Sequence, residues 1–171
     1  MPKTFSSRPT QDRVKQAIFS SLGSRVPASR VLDLYAGTGS LGIEALSRGA
    51  AAACFVEKDR THAAMILENL NYCRLKGEVI TRSVEMFLQS DTHPLYDIIL
   101  ADPPYTKGPH NLSNDPVIVA LRNWIHPEGL LVWEHDHRNR WEPSPHWTLL
   151  KTADYGESSV SYLRPHAETS D

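Results

Sequence analysis

Cysteine is nearly absent from this chain. Its 171 residues include two, Cys54 and Cys73, and their separation matches no metal-ligand pattern. Cys54 lies in an apolar run and reads as a small core residue, so no structural disulfide is expected. No apolar run approaches the roughly 18 residues that a membrane span needs. The opening stretch, MPKTFSSRPTQDR, lacks the apolar core of a secretory signal, and the protein is expected in the cytoplasm. One-sided charge is also missing. Against 18 Lys and Arg stand 20 Asp and Glu, a net charge of −2. That balance excludes a generic nucleic-acid binder working through bulk positive charge. Repeats and low-complexity tracts are lacking too.

What charge there is falls unevenly. The first fifteen residues carry Lys3, Arg8, Arg13 and Lys15 against a single acid, Asp12. Contact with a polyanion is therefore expected to be local and N-terminal. The competing interpretation is a solvated arm followed by the exposed face of a helix.

Hydrophobic periodicity divides the rest. Val14, Ile18 and Leu22 share one face of a helix expected over Thr10 to Leu22, with Thr10 or Asp12 as its cap and Gly23 at its end. Strands and helices then alternate. RVLDLYA, AAACFVE, EVITR, YDIILA and GLLVWEH read as strands. SLGIEALSRG, RTHAAMILENLNYCRL, a short segment around Glu85 to Leu88, and Asp115 to Trp124 read as helices. This order predicts an α/β fold with a parallel sheet covered on both faces. WTLLKTADY and SSVSYLR, separated by Gly156 and Glu157, read as an antiparallel pair that closes a seven-stranded sheet. The expected organisation is an N-terminal arm and helix over 1–23, a main domain over 24–164 and a tail over 165–171.

Two loops carry chemistry. In DLYAGTGSLG, Gly37, Gly39 and Gly42 follow the first strand and open a helix. Glu57 ends the next strand, twenty residues after Gly37. Glycines permit a tight turn and close approach of a ligand, and the acid can bind two ribose hydroxyls. The pattern suits NAD and S-adenosylmethionine alike. Asp33, before the glycines, favours the methyl donor: it can meet an ammonium, whereas it would repel a pyrophosphate.

The second loop is DIILADPPY, the fourth strand and its exit. In a doubly wound sheet the first and fourth strands are neighbours, and their carboxyl ends flank the ligand crevice. Asp102 to Tyr105 should therefore face the glycine turn. Pro103 and Pro104 fix the backbone and supply no N–H. Asp102 and a proline carbonyl become rigid acceptors for the two N–H groups of an exocyclic amine. Tyr105 can stack on the attached ring, which is worth roughly 1–3 kcal/mol per base.

Asp-Pro-Pro-Tyr after an apolar strand, with the glycine turn upstream, resembles the class I S-adenosylmethionine-dependent amino-methyltransferases. RPTQDRVKQAIFSSL, DLYAGTGSLGIEALSRGA, FVEKD and YGESSVSYL, in that order, resemble more narrowly the bacterial small-subunit (16S) rRNA guanine-N2-methyltransferases. The likeness covers about Ser7 to Arg164. It implies a seven-stranded Rossmann-like methyltransferase fold and a guanine of 16S rRNA as target, within an assembling 30S subunit, for an enzyme expected to be a monomer. It also implies roles. Asp33, Tyr35, Ala36, Gly37 and Gly39 cradle the donor, and Glu57 with Lys58 holds its ribose. Asp102, Pro103, Pro104 and Tyr105 hold the guanine, and Arg8, Thr10 and Arg13 face RNA. Two departures stand out. The family has a β-hairpin before the Arg-Pro-Thr stretch, and here seven residues precede Arg8. Where the family places Asp or Asn against the donor's adenine, this chain has Ser83, followed by Val84.

Other readings compete. Asp-Pro-Pro-Tyr also serves DNA adenine-N6-methyltransferases, the glycine turn also serves NAD-linked oxidoreductases, and a catalytically silent RNA-binding assembly factor could keep the fold. His135 and His137 could share a face toward a metal, but no third ligand has suitable spacing, and none is expected. Glu134 could line the crevice or cap a loop. Trp124, Trp133, Trp141 and Trp147 read as packing residues.

Overall fold

The computed structural model describes residues 9–104 and 109–167. Helix α1 (Pro9–Leu22) buries Val14, Ile18, Phe19 and Leu22, the stripe its apolar spacing requires. It begins one residue before Thr10. Pro9 suits the first turn because its missing N–H would have no helical partner there. Thr10 and Asp12 thus lie inside the first turn and are not the cap. Gly23, with φ of 49°, turns the chain out of the helix.

The alternating segments follow: β1 (Arg30–Leu34), α2 (Ser40–Ser47), β2 (Ala52–Val56), α3 (Arg60–Tyr72), β3 (Glu78–Ile80), α4 (Val84–Phe87) and β4 (Tyr96–Ala101). Then come α5 (Pro116–Leu121), β5 (Ile125–Asp136), β6 (Trp147–Tyr155) and β7 (Ser158–Pro165). α5 is shorter than its sequence suggests. Asp115 caps it through the N–H groups of Val117 and Ile118, and the chain leaves it before Trp124 to begin β5. β5 in turn starts four residues before Gly129, because Ile125 already pairs with Tyr96; the register then shifts and resumes at Ile98 and Leu130.

The sheet order is β3-β2-β1-β4-β5-β7-β6. The first five strands in chain order pair in parallel, and β7 lies antiparallel between β5 and β6. β1 and β4 are neighbours, as a doubly wound order demands. Both faces are covered, so central strands are apolar on each side. In β4, Ile98 and Leu100 join one core cluster with α1, α2 and α3, while Ile99 and Ala101 join another with α4 and α5. Because α1 packs into the first cluster, it shares the core of the sheet. Trp124, Trp133 and Trp147 are buried, and Trp141 packs against the second cluster. The indole N–H of Trp147 donates to the Ile118 carbonyl at 2.9 Å. Cys54 is buried, Cys73 is exposed, and both are free thiols. Among the described residues, no helix is long and apolar enough to cross a membrane.

Candidate active site

Side chains alternate across a strand, so the residues that end parallel neighbours converge at one edge of the sheet. Four of those residues here are acids. Asp33 belongs to β1, Glu57 follows β2, Asp102 follows β4, and Glu134 lies near the end of β5. The sheet order makes them successive as Glu57, Asp33, Asp102 and Glu134.

The glycine turn fixes the first two. Tyr35, Gly37 and Gly39 have φ of 54°, 58° and 85°. Positive φ is strained for tyrosine and natural for glycine. The turn aims the Gly37 N–H at Glu57 Oε1 at 2.9 Å, while Glu57 Oε2 accepts from the Asp59 N–H at 2.8 Å. Both oxygens are therefore anchored by backbone donors, and each keeps a lone pair for a further hydroxyl. Asp33 is buried, and its Oδ2 accepts from the Gly42 N–H at 2.9 Å. Burial pushes its carboxyl up to about 8, against that hydrogen bond and with help from the charges of Asp102 and Glu57. Burial thus favours the neutral carboxyl of Asp33 until a cation arrives.

Three cavities meet at this edge. One of about 460 Å³ lies between the Glu57–Lys58 corner and Ser83–Val84. A second, about 320 Å³, lies beneath α1 against Asp33, Ala36 and Asp102. The third, about 530 Å³, opens beyond Pro103 and Pro104 toward Trp133 and Asn111. Tyr35 lines all three, its ring edge-on to Trp133 at 6.3 Å. Each volume falls within or close to the range of about 300–1,000 Å³ usual for small-molecule sites. Ser83 caps α4, its Oγ accepting from the Met86 N–H at 3.2 Å, and its hydroxyl proton remains able to donate into the first cavity.

Asp102 is reachable by solvent, while crevice atoms crowd its carboxyl; that crowding raises it to about 6. Glu134 is half-buried. Burial raises it to about 8, followed by the charge of Asp102 and a hydrogen bond between the two carboxyls. Two adjoining carboxyls of this kind titrate as a pair, and burial with the charge of Asp102 favours the protonated form of Glu134.

Most expected site residues therefore converge: Asp33, Tyr35, Ala36 and Gly37 on one wall, Glu57, Lys58, Ser83 and Val84 beside them, and Asp102, Pro103 and Pro104 opposite. Gly39 does not join them. It lines none of the three cavities, and a side chain there would meet Ile66 at 3.1 Å, so it serves the packing of α2 on α3. Thr10 and Arg13 lie on the exposed face of α1, with the Arg13 guanidinium 6.0 Å from the centroid of the Tyr155 ring. Arg8 and Tyr105 lie outside the described residues. The sequence reading missed α1 as a wall of the crevice. Gln11, Lys15 and Ile18, at helical spacing, line the cavity below it, and Lys15 Nζ donates to Ser40 Oγ at 3.3 Å. That stripe was the available signal.

His135 and His137 have other partners. His135 Nδ1 donates to the Asp136 carbonyl at 2.8 Å, which leaves Nε2 to accept from Ser161 Oγ at 2.7 Å. His137 Nδ1 donates to the Glu157 carbonyl at 3.0 Å. No cluster of His, Cys, Asp or Glu able to hold a metal ion occurs among the described residues.

The sheet order, the closing hairpin and the crevice at the β1/β4 switch point define a Rossmann-like methyltransferase fold. A T. thermophilus 16S rRNA N2 G1207 methyltransferase, solved with AdoMet and guanosine, shares that fold at a TM-score of 0.74 and 23% identity, over 96% of this chain and 45% of that one. A solved Escherichia coli structure, described provisionally as a methyltransferase, matches at a TM-score of 0.81 and 30% identity, over 94% of this chain and 89% of that one. The chain belongs to the family described as Conserved hypothetical protein 95, whose model matches residues 1–164. Its relatives include ribosomal RNA small subunit methyltransferase D of Haemophilus influenzae, 37% identical over 91% of this chain and 80% of that protein. The protein of the same name from Escherichia coli K12 is 30% identical over 98% of this chain and 84% of that protein.

Proposed function

We propose that this protein is an S-adenosylmethionine-dependent rRNA methyltransferase that modifies the exocyclic N2 of a guanine in 16S rRNA. One observation carries the reading: four acids end successive strands around a nucleoside-sized crevice. Even with protons favoured on Asp33 and Glu134 such a site is acidic, and Asp33 gains its charge beside a cation, so it suits a ligand carrying a sulfonium and an ammonium better than the pyrophosphate of NAD. The relatives named for small-subunit rRNA methylation support the substrate.

The residues present fit that donor. Glu57, already anchored on both oxygens, accepts from ribose hydroxyls. Ser83 and Val84 border the adenine side, and Lys58 closes the same corner. Tyr35, Ala36 and Gly37 shape the turn beneath, and Asp33 loses its proton when an ammonium arrives, because a positive neighbour favours the carboxylate. When bound, S-adenosylmethionine supplies an electrophilic methyl group. Asp102 and a carbonyl of the Pro103–Pro104 bend accept from the two N2–H groups of guanine. This draws the nitrogen lone pair out of the ring and directs it toward the donor side. Tyr105 stacks on the base. Catalysis is then mainly positioning and preorganised electrostatics. Arg8, Thr10 and Arg13 meet RNA phosphates from the α1 side. The enzyme works in the cytoplasm as a monomer, on RNA within an assembling 30S particle.

Calorimetry with S-adenosylhomocysteine and with NAD tests the cofactor assignment directly. Binding of S-adenosylhomocysteine and no heat with NAD is expected; the reverse order rejects the reading.

A further inference from the structure

Glu134 belongs to neither loop that announces the reaction, yet the fold delivers it to Asp102. β4 and β5 run parallel with Ala101 opposite Trp133. One residue further on, each strand presents an acid. Leu100 and Val132 face the α1 side of the sheet, while Ala101 and Trp133 face the other. Alternation therefore returns Asp102 and Glu134 to the α1 side, where both line the cavity beneath that helix. The register and the shared cavity bring the two carboxyls within reach of each other, and a hydrogen bond between them requires a proton on one. Burial and the neighbouring charge of Asp102 both push Glu134 up, which favours the proton there. No backbone N–H among the described residues reaches the Glu134 carboxyl, so this acid does not cap the loop after β5.

Asp102 has a matching need. It precedes two prolines, so the next two residues offer no N–H to hold its carboxylate. Among the described residues, Glu134 is the side chain within hydrogen-bonding reach of it.

We propose that Glu134 is a positioning residue for methyl transfer: its carboxyl donates to Asp102 and holds that carboxylate, as an acceptor, toward the guanine amine. The assignment rests on the function proposed above. In the transfer, the N2–CH3 bond forms as the S–CH3 bond breaks, and the N–H electron pair stays on N2 as one proton leaves for Asp102. Glu134 keeps its own proton, and Asp102 passes the new one to solvent through the open crevice.

The test compares Glu134→Gln and Glu134→Ala in the full chain, with kcat, KM for small-subunit RNA and Kd for S-adenosylhomocysteine. The glutamine amide still donates to Asp102, so kcat is expected within about threefold of wild type, whereas alanine lowers it by about tenfold or more with KM and Kd nearly unchanged. In an Asp102→Asn background, with no carboxylate to hold, Glu134→Ala is expected to change residual kcat less than about twofold. Any of three results overturns the assignment: alanine matching wild type, glutamine no better than alanine, or an equal fall in both backgrounds. Wild-type protein that leaves small-subunit RNA unmethylated instead overturns the underlying function, and this assignment with it.

Discussion

Asp33 sits inside the sheet with one oxygen on the Gly42 N–H and its pKa pushed up to about 8, from an ordinary carboxylate value of 3.8. Such a group stabilises the fold most below its unfolded pKa, and that contribution drains away as pH rises toward 8. Urea unfolding between pH 5 and 9, without donor, should therefore show stability falling as pH rises. Asp33→Asn, which keeps an acceptor for Gly42, should flatten that fall; an unchanged slope would place the titration elsewhere. Glu57 differs because two backbone N–H groups anchor it and leave it ready for hydroxyls. Removing a charged partner of this kind costs about 1.5–3 kcal/mol, so Glu57→Ala should weaken S-adenosylhomocysteine binding by roughly 10- to 100-fold in calorimetry. An unaltered Kd counts against the ribose role. Asp102→Ala should leave that Kd within about twofold, while methyl transfer falls by about 100-fold or more.

At the scale of elements, the glycine turn shows why one glycine cannot be replaced. Alanine inside a helix is normally worth about 1 kcal/mol over glycine. At Gly42 the added carbon would lie 2.3 Å from the Phe55 ring and 3.0 Å from Asp33 Oδ2. Gly42→Ala should accordingly destabilise by about 1–3 kcal/mol in urea unfolding, the usual cost of overpacking. A more stable variant would mean that α2 shifts freely on the sheet. Elements with clean periods were legible from sequence, as with the Val14, Ile18, Leu22 stripe and the apolar run of β4. The end of α5 was not. Its boundary depends on a distant segment: the Tyr96 N–H donates to the Trp124 carbonyl at 2.9 Å, and Ile125 pairs with Tyr96 in the sheet. Local propensity contains no trace of such a tie.

For the whole molecule, the switch point between β1 and β4 could be deduced because strand alternation leaves few topologies. The contact between Asp102 and Glu134 could not, since it needs the register of two strands with a whole helix between them. The role of α1 as crevice wall was hidden for a similar reason: its polar stripe resembles an exposed face until the sheet edge is placed beneath it. Substrate charge also acts at this scale. With a net charge of −2 and acids concentrated in the crevice, the proposed function assigns the RNA contact to the basic N-terminal segment. Arg8→Ala with Arg13→Ala should weaken binding to small-subunit RNA and reduce the salt slope by up to about 2. A slope equal to wild type would move the RNA contact elsewhere.

The most direct measurement uses transcribed 16S RNA, free and assembled into 30S particles, incubated with the protein and methyl-labelled S-adenosylmethionine, then digested to nucleosides. Label should emerge in N2-methylguanosine from at least one of the two substrates, and Asp102→Ala should leave that nucleoside unlabelled. Label in a different nucleoside, or equal labelling by the variant, would contradict the account.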